Sequence, residues 1–199
     1  MYSVSPLISI ITLNYNQASV TVDFLESAKK LHYKNFEILV CDMASAEDVT
    51  KIIHPEKYPN TRLLLSNKNL GFAGGNNWGM RQAKGDFFFI VNNDTVMTEY
   101  LLDNLLKPFT EDRSIGVTSP KIMYYHHPDT IQYAGFFPMN KYTGRTTIRG
   151  ESEKDIGQYD ISGPTSGSHG CAMLVKREVA EKTGMFPEKF FLYYEEWDW

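Results

Sequence analysis

The 199-residue chain is 42% hydrophobic and 22% charged, which is the balance of an ordinary folded domain with a sizeable core. Its net charge of −4 and the lack of a Lys/Arg-rich run argue against a nucleic-acid partner, although a local basic pocket stays open. We find no signal segment and no apolar window long enough for a transmembrane helix.

The two cysteines, Cys41 and Cys171, lie far apart and match no metal-ligand spacing. Cys41 lies in an apolar stretch, so we expect a reduced thiol in the core and a cytoplasmic location. The chain ends on an aromatic run, 190–199, with no cap or tail after it. Because natural domains seldom stop on such a segment, we expect the chain to have been cut at its C-terminus.

The first half of the chain alternates strand patterns with helical ones. Apolar runs predict four strands, at 7–13, 36–41, 61–65 and 87–91. Helical spacing predicts a helix through 20–31, a weak helix at 47–53, and a third that follows a flexible glycine turn at 71–75 and continues to 83. This alternation predicts an α/β fold with a mostly parallel sheet, helices on its flanks and right-handed crossovers.

The second half begins regularly and then becomes irregular. The pattern predicts an amphipathic helix at 101–106 that Pro108 ends, and a fifth strand at 115–119. From 124 to 164, Gly, Pro, Tyr and polar residues mix, which is typical of irregular hairpins or a mobile loop. A strand at 171–175 and a helix at 176–183 follow.

The tetrad Asn92-Asn93-Asp94-Thr95 follows the apolar run Phe87–Val91 directly. Open α/β sheets bind ligands at the carboxyl ends of their strands. A carboxylate among amides at that place suits a divalent cation that carries a phosphate. On its own, the tetrad is more typical of an Asx turn that only closes a strand.

Three other polar loops follow predicted strands. They are the segments 12–16, 42–45 and 66–77, each rich in Asn, Asp, Ser or Gly. Because the strands are parallel, these loops and the tetrad should converge on one edge of the sheet. Four such loops together indicate a hydrogen-bonding site that a scaffold does not need. The glycines at 71–75 would let backbone N–H groups approach a ligand, or form a tight turn before a helix.

Other phosphate-binding patterns are absent from these loops. The glycine stretch lacks the Gly-Lys-Ser/Thr ending of a P-loop, and the first strand does not lead into G-x-G-x-x-G.

The spaced set of motifs resembles family 2 glycosyltransferases, which have the GT-A fold. The matching pieces are Thr12-x-Asn14-Tyr15-Asn16, Asp42-x-Ala44-Ser45, Asn69-x-Gly71-Phe72-Ala73-Gly74-Gly75-Asn76-Asn77-x-Gly79 and Asn92-Asn93-Asp94. The glycine-rich version is similar to the bacterial branch of rhamnosyltransferases. The resemblance covers about 7–199 and implies one catalytic domain, with a nucleotide-sugar-binding half over about 1–120 and an acceptor-side half over about 121–199.

The resemblance implies an inverting transfer of a sugar from a nucleotide-diphosphate donor, a UDP- or dTDP-sugar, to an acceptor hydroxyl. It implies a role in bacterial surface polysaccharide synthesis, with a glycan or lipid-linked glycan as acceptor. The residues that match the donor site of the family are Thr12, Asn14, Asn16, Asp42, Ala44, Ser45, Gly71, Gly74, Asn76, Asn92 and Asn93. Among them, Asp42 would bind the pyrimidine base, and the 71–77 stretch would pack near the ribose and diphosphate.

The metal and the catalytic base are also implied by the resemblance. Asp94 would hold Mg²⁺ or Mn²⁺, with uncharged Asn92 where the family usually has Asp. The family base falls on Glu196, where Asp is usual, and Glu195 or Asp198 could serve instead. The acidic cluster also fits a solvated helix face. Gly170 matches the acceptor-side segment, and family members continue past this point with helices that reach the inner face of the membrane.

Three other functions compete with an active transferase. A silent nucleotide-sugar binder is compatible with Asn92 and Glu196 as departures from the family. A sugar-1-phosphate nucleotidyltransferase would want a basic, Gly-rich loop after the first strand, which Asn14-Tyr15-Asn16 is not. A glycoside hydrolase would need two carboxylates across a cleft and no converging Asn/Gly loops.

Overall fold

The computed structural model describes residues 5–58, 60–191 and 199. The strands are β1 (Ile8–Asn14), β2 (Phe36–Asp42), β3 (Thr61–Leu65), β4 (Phe87–Val91), β5 (Val117–Thr118), β6 (Ile122–Tyr124), β7 (His127–Tyr133) and β8 (Ala172–Lys176). The α-helices are α1 (Ala18–Ala28), α2 (Gly71–Gln82), α3 (Leu101–Glu111) and α4 (Arg177–Thr183).

Six strands form one sheet in the order β3-β2-β1-β4-β8-β5. The first four are parallel to one another, whereas β8 runs antiparallel to both β4 and β5. The predicted α/β fold with a mostly parallel sheet is therefore confirmed. The register sets Asn14 opposite Asp42, so the carboxyl ends of β1 and β2 are level with each other.

Hydrophobic cores cover both faces of this sheet. On one face, Phe87 and Phe89 pack in a cluster that contains residues of α1 and α3. On the other face, Phe88 packs in a cluster that contains Met80 of α2 and Ala180 of α4. Burial on both faces explains why the strands are continuous apolar runs rather than alternating ones. Each buried Phe contributes about 1.5–3 kcal/mol to stability.

The structure corrects two helical predictions in the first half. The predicted helix at 47–53 is replaced by two short 3-10 helices, Val49–Lys51 and Pro55–Lys57. The segment 71–75, predicted to be a glycine turn before the helix, is itself the first part of α2, which begins at Gly71. Glycine disfavours helix by about 1 kcal/mol, but here its missing Cβ lets α2 lie against the sheet. A Cβ at Gly79 would lie 2.6 Å from Cγ2 of Ile11.

Two further boundaries differ from the predictions in the second half. Helix α3 continues through Pro108 to Glu111, since the last turn buries Phe109 against the Phe87 ring, with 4.9 Å between ring centroids. Burial of this ring outweighs the hydrogen bond that Pro108 cannot donate. The fifth strand is only two residues long, and it pairs antiparallel with β8.

The irregular region contains the predicted hairpins. Strands β6 and β7 form a separate two-stranded antiparallel sheet with irregular register. Isolated bridges join Phe136 to Ile148 and Asn140 to Arg145 in the segment that follows. Within the described part of the chain, none of the helices is long and apolar enough to cross a membrane.

Candidate functional site

A chain of side-chain hydrogen bonds joins the carboxyl ends of three strands. Asn93, after β4, donates to Thr21 of α1 over 2.9 Å, and Thr21 donates to Asn14 at the end of β1 over 2.7 Å. Asn14 donates in turn to Asp42 at the end of β2 over 2.7 Å, and the Ser45 hydroxyl donates to the same carboxylate oxygen over 2.5 Å. The predicted convergence on one edge of the sheet is thereby confirmed for the loops 12–16 and 42–45 and for the tetrad.

Asp42 is held from several sides in this network and is only 4% exposed. Its Oδ1 accepts from Asn14 and from the Ser45 hydroxyl, and its Oδ2 accepts from the Ser45 backbone N–H over 3.0 Å. An ionised carboxylate offers about four acceptor positions. One acceptor position, on Oδ2, is therefore not used by these bonds.

Two loop residues of this edge have left-handed backbone conformations. Asn16 has a φ of 55° and Ala44 a φ of 59°, which is unusual for a residue with a Cβ. Asn16 is held by its backbone N–H, which donates to Ser45 over 2.8 Å, and by its Oδ1, which accepts from Ala46 over 2.7 Å. Strained backbone of this kind is often found at functional sites.

Thr12 and Asn14 lie beneath the edge rather than on its surface. Both are fully buried, and the side-chain oxygen and nitrogen of Asn14 are both occupied within the network. The Oγ1 of Thr12 has no hydrogen-bond partner among the described residues. In this structure both side chains support the edge from beneath, and their place in the donor pocket stays a prediction.

Helix α2 holds the chain segment 186–191 at its N-terminus and along one side. The Gly71 N–H donates to Asn69 and the Phe72 N–H donates to the carbonyl of Phe191, each over 2.9 Å. Gly71 has a φ of 69°, and a Cβ there would lie 2.5 Å from the Phe191 carbonyl oxygen. These two N–H groups are therefore occupied by the chain itself, and the packing of the 71–77 stretch near a ribose and diphosphate stays a prediction.

Two asparagines follow on α2, and both are buried. Asn76 donates to the Phe72 carbonyl within the helix over 3.0 Å. Asn77 instead exchanges two hydrogen bonds with the backbone of Phe186, of 2.8 and 3.0 Å, and donates to Glu188 over 3.0 Å. The bonds from Asn77 and Arg81 lower the pKa of the Glu188 carboxyl.

These contacts of Asn77 were missed in the sequence analysis. The residues involved are more than 100 positions apart, as Asn77 and Phe186 show, and no spacing in the chain connects them. The local signal is a polar residue among the buried positions of α2, which are otherwise glycines, Ala73, Asn76 and Met80.

The segment around Gly170, which is predicted to lie on the acceptor side, is next to the tetrad. The backbone N–H of Asn92 donates to the carbonyl of Cys171 over 2.9 Å, and the buried Gly170 precedes it. Burial, and to a lesser extent the nearby charge of Asp94, raises the pKa of the Cys171 thiol to about 12. The His169 ring accepts from the Cys171 N–H over 3.0 Å, which fits a structural role for this histidine.

Asp94 is the exposed carboxylate of the tetrad. Its side chain makes no hydrogen bond or ion pair with residues 5–58, 60–191 or 199. A turn follows β4 at residues 93–94, and the Thr95 hydroxyl donates to the Asn92 carbonyl over 2.9 Å. No group of three or more His, Cys, Asp or Glu side chains in the described part of the chain could hold a metal ion.

The expected base, Glu196, and its alternatives, Glu195 and Asp198, lie outside the described residues. On one side of that segment, Phe191 is bonded to the N-terminus of α2. On the other side, Trp199 packs on Phe186, with ring centroids 4.3 Å apart.

A shallow depression of about 630 Å³ lies at the opposite edge, by the amino ends of β2 and β3. Its polar side includes Glu37, which accepts from Ser9, Arg62 and the Lys84 N–H. Because these bonds join neighbouring strands and the turn before β4, we assign this cluster to the stability of the sheet.

Comparison with known proteins identifies the family to which this chain belongs. The model of glycosyl transferase family 2 matches residues 9–184. The chain therefore belongs to glycosyl transferase family 2. A mannosyltransferase of Pyrobaculum calidifontis, solved with GDP-Man and Mn²⁺, superimposes with a TM-score of 0.66 at 19% identity, covering 94% of this chain and 49% of its own. The fold is thus of the GT-A type, as expected.

Two curated proteins are also similar to this chain in sequence. An uncharacterised glycosyltransferase of Rickettsia typhi is 27% identical over 190 residues, which are 92% of this chain and 54% of its own. The UDP-Glc:α-D-GlcNAc-diphosphoundecaprenol β-1,3-glucosyltransferase WfaP of Escherichia coli is 34% identical over 88 residues, which are 44% of this chain and 35% of its own. The chain thus spans about half or less of the length of these relatives.

Proposed function

We propose that this chain is the catalytic domain of an inverting glycosyltransferase that uses a nucleotide-diphosphate sugar. The observation that carries the proposal is the hydrogen-bond chain from Asn93 to Asp42, which begins at the residue next to the exposed carboxylate of Asp94. The donor would occupy this edge, in the half at about 1–120, and the acceptor would approach from the half at about 121–199.

The nucleotide would bind at the loops after β1 and β2. The acceptor position of Asp42 that the network leaves unused suits a ring N–H, which uracil and thymine carry and which guanine carries as well. We propose a UDP- or dTDP-sugar because the resemblance to the family places a pyrimidine at Asp42. WfaP acts on UDP-Glc by its name, and the archaeal structure holds GDP-Man. Asn16 and Ala44 would shape the wall of this pocket.

Asp94 and Asn92 would hold Mg²⁺ or Mn²⁺ together with the phosphates of the donor. The donor set fits, since both ions prefer oxygen ligands, and one carboxylate with two phosphates is enough. The archaeal relative was solved with Mn²⁺. When bound, the ion would act as a Lewis acid that stabilises the leaving diphosphate.

The acceptor hydroxyl needs a base, which we propose to be Glu196, with Glu195 or Asp198 as alternatives. The carboxylate takes the hydroxyl proton while the acceptor oxygen bonds to the anomeric carbon and the bond to the diphosphate oxygen breaks. Such a base contributes about 10²–10⁴-fold to the rate. A glycan or lipid-linked glycan acceptor in surface polysaccharide synthesis fits the name of WfaP.

A thermal-shift panel of nucleotide diphosphates, with and without Mn²⁺, tests the donor site. A ligand at about 100 times its dissociation constant stabilises the folded state by about 2.7 kcal/mol. We expect Asp94→Ala to abolish the metal-dependent part of the shift and Asp23→Ala, an exposed carboxylate on α1, to leave it unchanged. The donor site is wrongly assigned if no pyrimidine nucleotide shifts the melting temperature with metal present.

Donor turnover separates an active transferase from a silent nucleotide-sugar binder. Release of nucleotide diphosphate from the donor, including slow hydrolysis, indicates an enzyme. Glu196→Gln should keep donor binding and lose turnover, while Glu178→Gln on α4 should change neither. Binding without turnover in the wild type would favour the silent binder instead.

A further inference from the structure

Residues 134–149 form a β-hairpin outside the main sheet. The Ala134 N–H donates to the Arg149 carbonyl over 2.9 Å, and the Phe137 N–H donates to the Thr147 carbonyl over 3.0 Å. Near the turn, Asn140 bridges to Arg145. These backbone bonds fix a tip that comprises residues 137–145, here called the hairpin tip.

The turn of the hairpin tip satisfies its own backbone groups. The Asn140 side chain accepts from the N–H groups of Tyr142 and Thr143, over 3.0 and 3.2 Å. The Asn140 carbonyl accepts from Gly144 over 2.8 Å, and Gly144 has a φ of 66°, which favours glycine. The turn therefore needs no partner for its backbone and presents its side chains outward.

The side chains of the hairpin tip are apolar and basic. Tyr142 is 87% exposed, and Phe137 and Met139 are exposed as well. Over 134–150 the charged residues are Lys141, Arg145 and Arg149, all positive, in a chain whose net charge is −4. Of the acidic residues that follow, Asp155 and Asp160 are paired with Lys121, and Glu153 accepts from Gln158 and Tyr159. Glu151 and Glu153 lie outside the tip, beyond the base of the hairpin.

This combination matches the chemistry of an anionic lipid surface. Aromatic rings prefer the membrane–water interface, and exposed lysine and arginine residues add attraction to anionic headgroups. A convex turn can enter a lipid interface that deforms around it, whereas a rigid protein partner would need a matching cavity. A soluble polyanion would use the cations but would give Tyr142 and Met139 nothing to contact.

We propose that the hairpin tip docks on an anionic lipid bilayer, with Tyr142 and Met139 in the interface and Lys141 and Arg145 at the headgroup phosphates. The base of the hairpin is continuous with the acceptor-side segment, because the ring of Phe136 stacks on that of His169. Docking would therefore hold the acceptor side of the sheet edge at the membrane. Lipid binding needs neither donor nor turnover, so this proposal and the proposed function can fail independently.

Sedimentation with vesicles tests the proposal on the whole chain. We expect binding to vesicles of phosphatidylcholine mixed with phosphatidylglycerol, none to phosphatidylcholine alone, and a decrease with added salt. The double variant Lys141→Glu/Arg145→Glu should weaken binding by more than about tenfold, since each basic residue near the surface contributes to attraction. Its control is Lys30→Glu/Lys57→Glu, which makes the same change in net charge at exposed sites away from the hairpin.

The apolar contribution is tested separately. Met139→Ser/Tyr142→Ser should weaken vesicle binding severalfold and leave binding to heparin, a soluble polyanion, unchanged. Ile156→Ser/Ile161→Ser removes two exposed apolar residues outside the tip and should not affect vesicle binding. The proposal is overturned if the wild type does not bind anionic vesicles, if the tip variants bind them like the wild type, or if the serine variant loses heparin binding equally.

Discussion

Asn77 on α2 is bonded through its side-chain amide to both backbone polar groups of Phe186, a residue 109 positions later. The arrangement resembles one rung of a β-ladder, in which a side chain stands in for a neighbouring strand. Together with the bond from Phe72 to Phe191, it fixes the segment 186–191 on α2. The helix that carries the glycine-rich motif therefore binds and positions the segment 186–191, which is distant in the sequence.

Replacement of Asn77 should destabilise the fold strongly. Asn77→Ala leaves the buried N–H and carbonyl of Phe186 without partners, and each unsatisfied group costs about 1–3 kcal/mol. We expect a loss of about 2–4 kcal/mol in the free energy of unfolding, measured by urea denaturation. Asn76→Ala is the matched control, because this neighbour is equally buried but bonds only within its helix, and it should lose less than about 1.5 kcal/mol. Equal losses in the two variants would contradict the assignment.

The hydroxyl of Thr21 is the central link of the polar network. It donates to Asn14 and accepts from Asn93, so Thr21→Val leaves the buried Asn14 Oδ1 and the half-buried Asn93 Nδ2 without these bonds. We expect Thr21→Val to cost about 1–3 kcal/mol in unfolding free energy, while Thr21→Ser, which keeps the hydroxyl, should cost markedly less. If the serine variant is as unstable as the valine variant, packing of the Thr21 methyl group and not the network is responsible.

Ala44 offers a test of stored backbone strain. A left-handed conformation costs a residue with a Cβ about 1–2 kcal/mol, and Ala44 has a φ of 59°. Ala44→Gly should therefore stabilise the protein by up to about 1 kcal/mol, after allowance for the greater entropy of glycine in the unfolded chain. The same exchange inside α4, Ala180→Gly, should destabilise it by about 1 kcal/mol or more. A loss of stability in Ala44→Gly would mean that the loop is unstrained.

The sequence predicts well what depends on local pattern. The bounds of the four parallel strands are predicted within one residue at each end. A strand that is covered on both faces of the sheet has a continuous apolar sequence, which makes it easy to locate. The convergence of Asn14 and Asp42 followed from strand direction alone. These features need only the chain to either side of each strand.

The features that the sequence could not predict are long-range. Helix α2 begins at Gly71 because packing outweighs the low helix propensity of glycine, and propensity was the only local guide. The position of β8 between β4 and β5 is a matter of sheet order, which no spacing in the chain encodes. The same holds for the contact of Asn77 with Phe186, since side-chain partners more than 100 residues apart leave no periodic trace.

Glu37, at the opposite edge of the sheet, should make stability depend on acid pH. Burial alone would raise the pKa of its carboxyl, but bonds from Ser9, the Lys84 N–H and Arg62 outweigh it, and the pKa is lowered. A carboxyl whose pKa is lower in the folded state contributes stability above its unfolded pKa of about 4.3, and this contribution is lost as pH falls. Glu37→Gln replaces the carboxyl with an amide that does not titrate, so it removes this pH-dependent contribution to stability.

We therefore expect the wild type to be more stable than Glu37→Gln at pH 7, with the difference shrinking as pH falls below about 4.3. The measurement is the free energy of unfolding by urea across this pH range, for the wild type, for Glu37→Gln and for a control variant. Glu111→Gln, at an exposed site on α3, serves as control and should follow the wild-type curve. Only a pKa that differs between the folded and unfolded states gives a pH-dependent contribution to stability. A difference between the wild type and Glu37→Gln that stays constant with pH would therefore mean that the bonds to Glu37 do not favour its charged form.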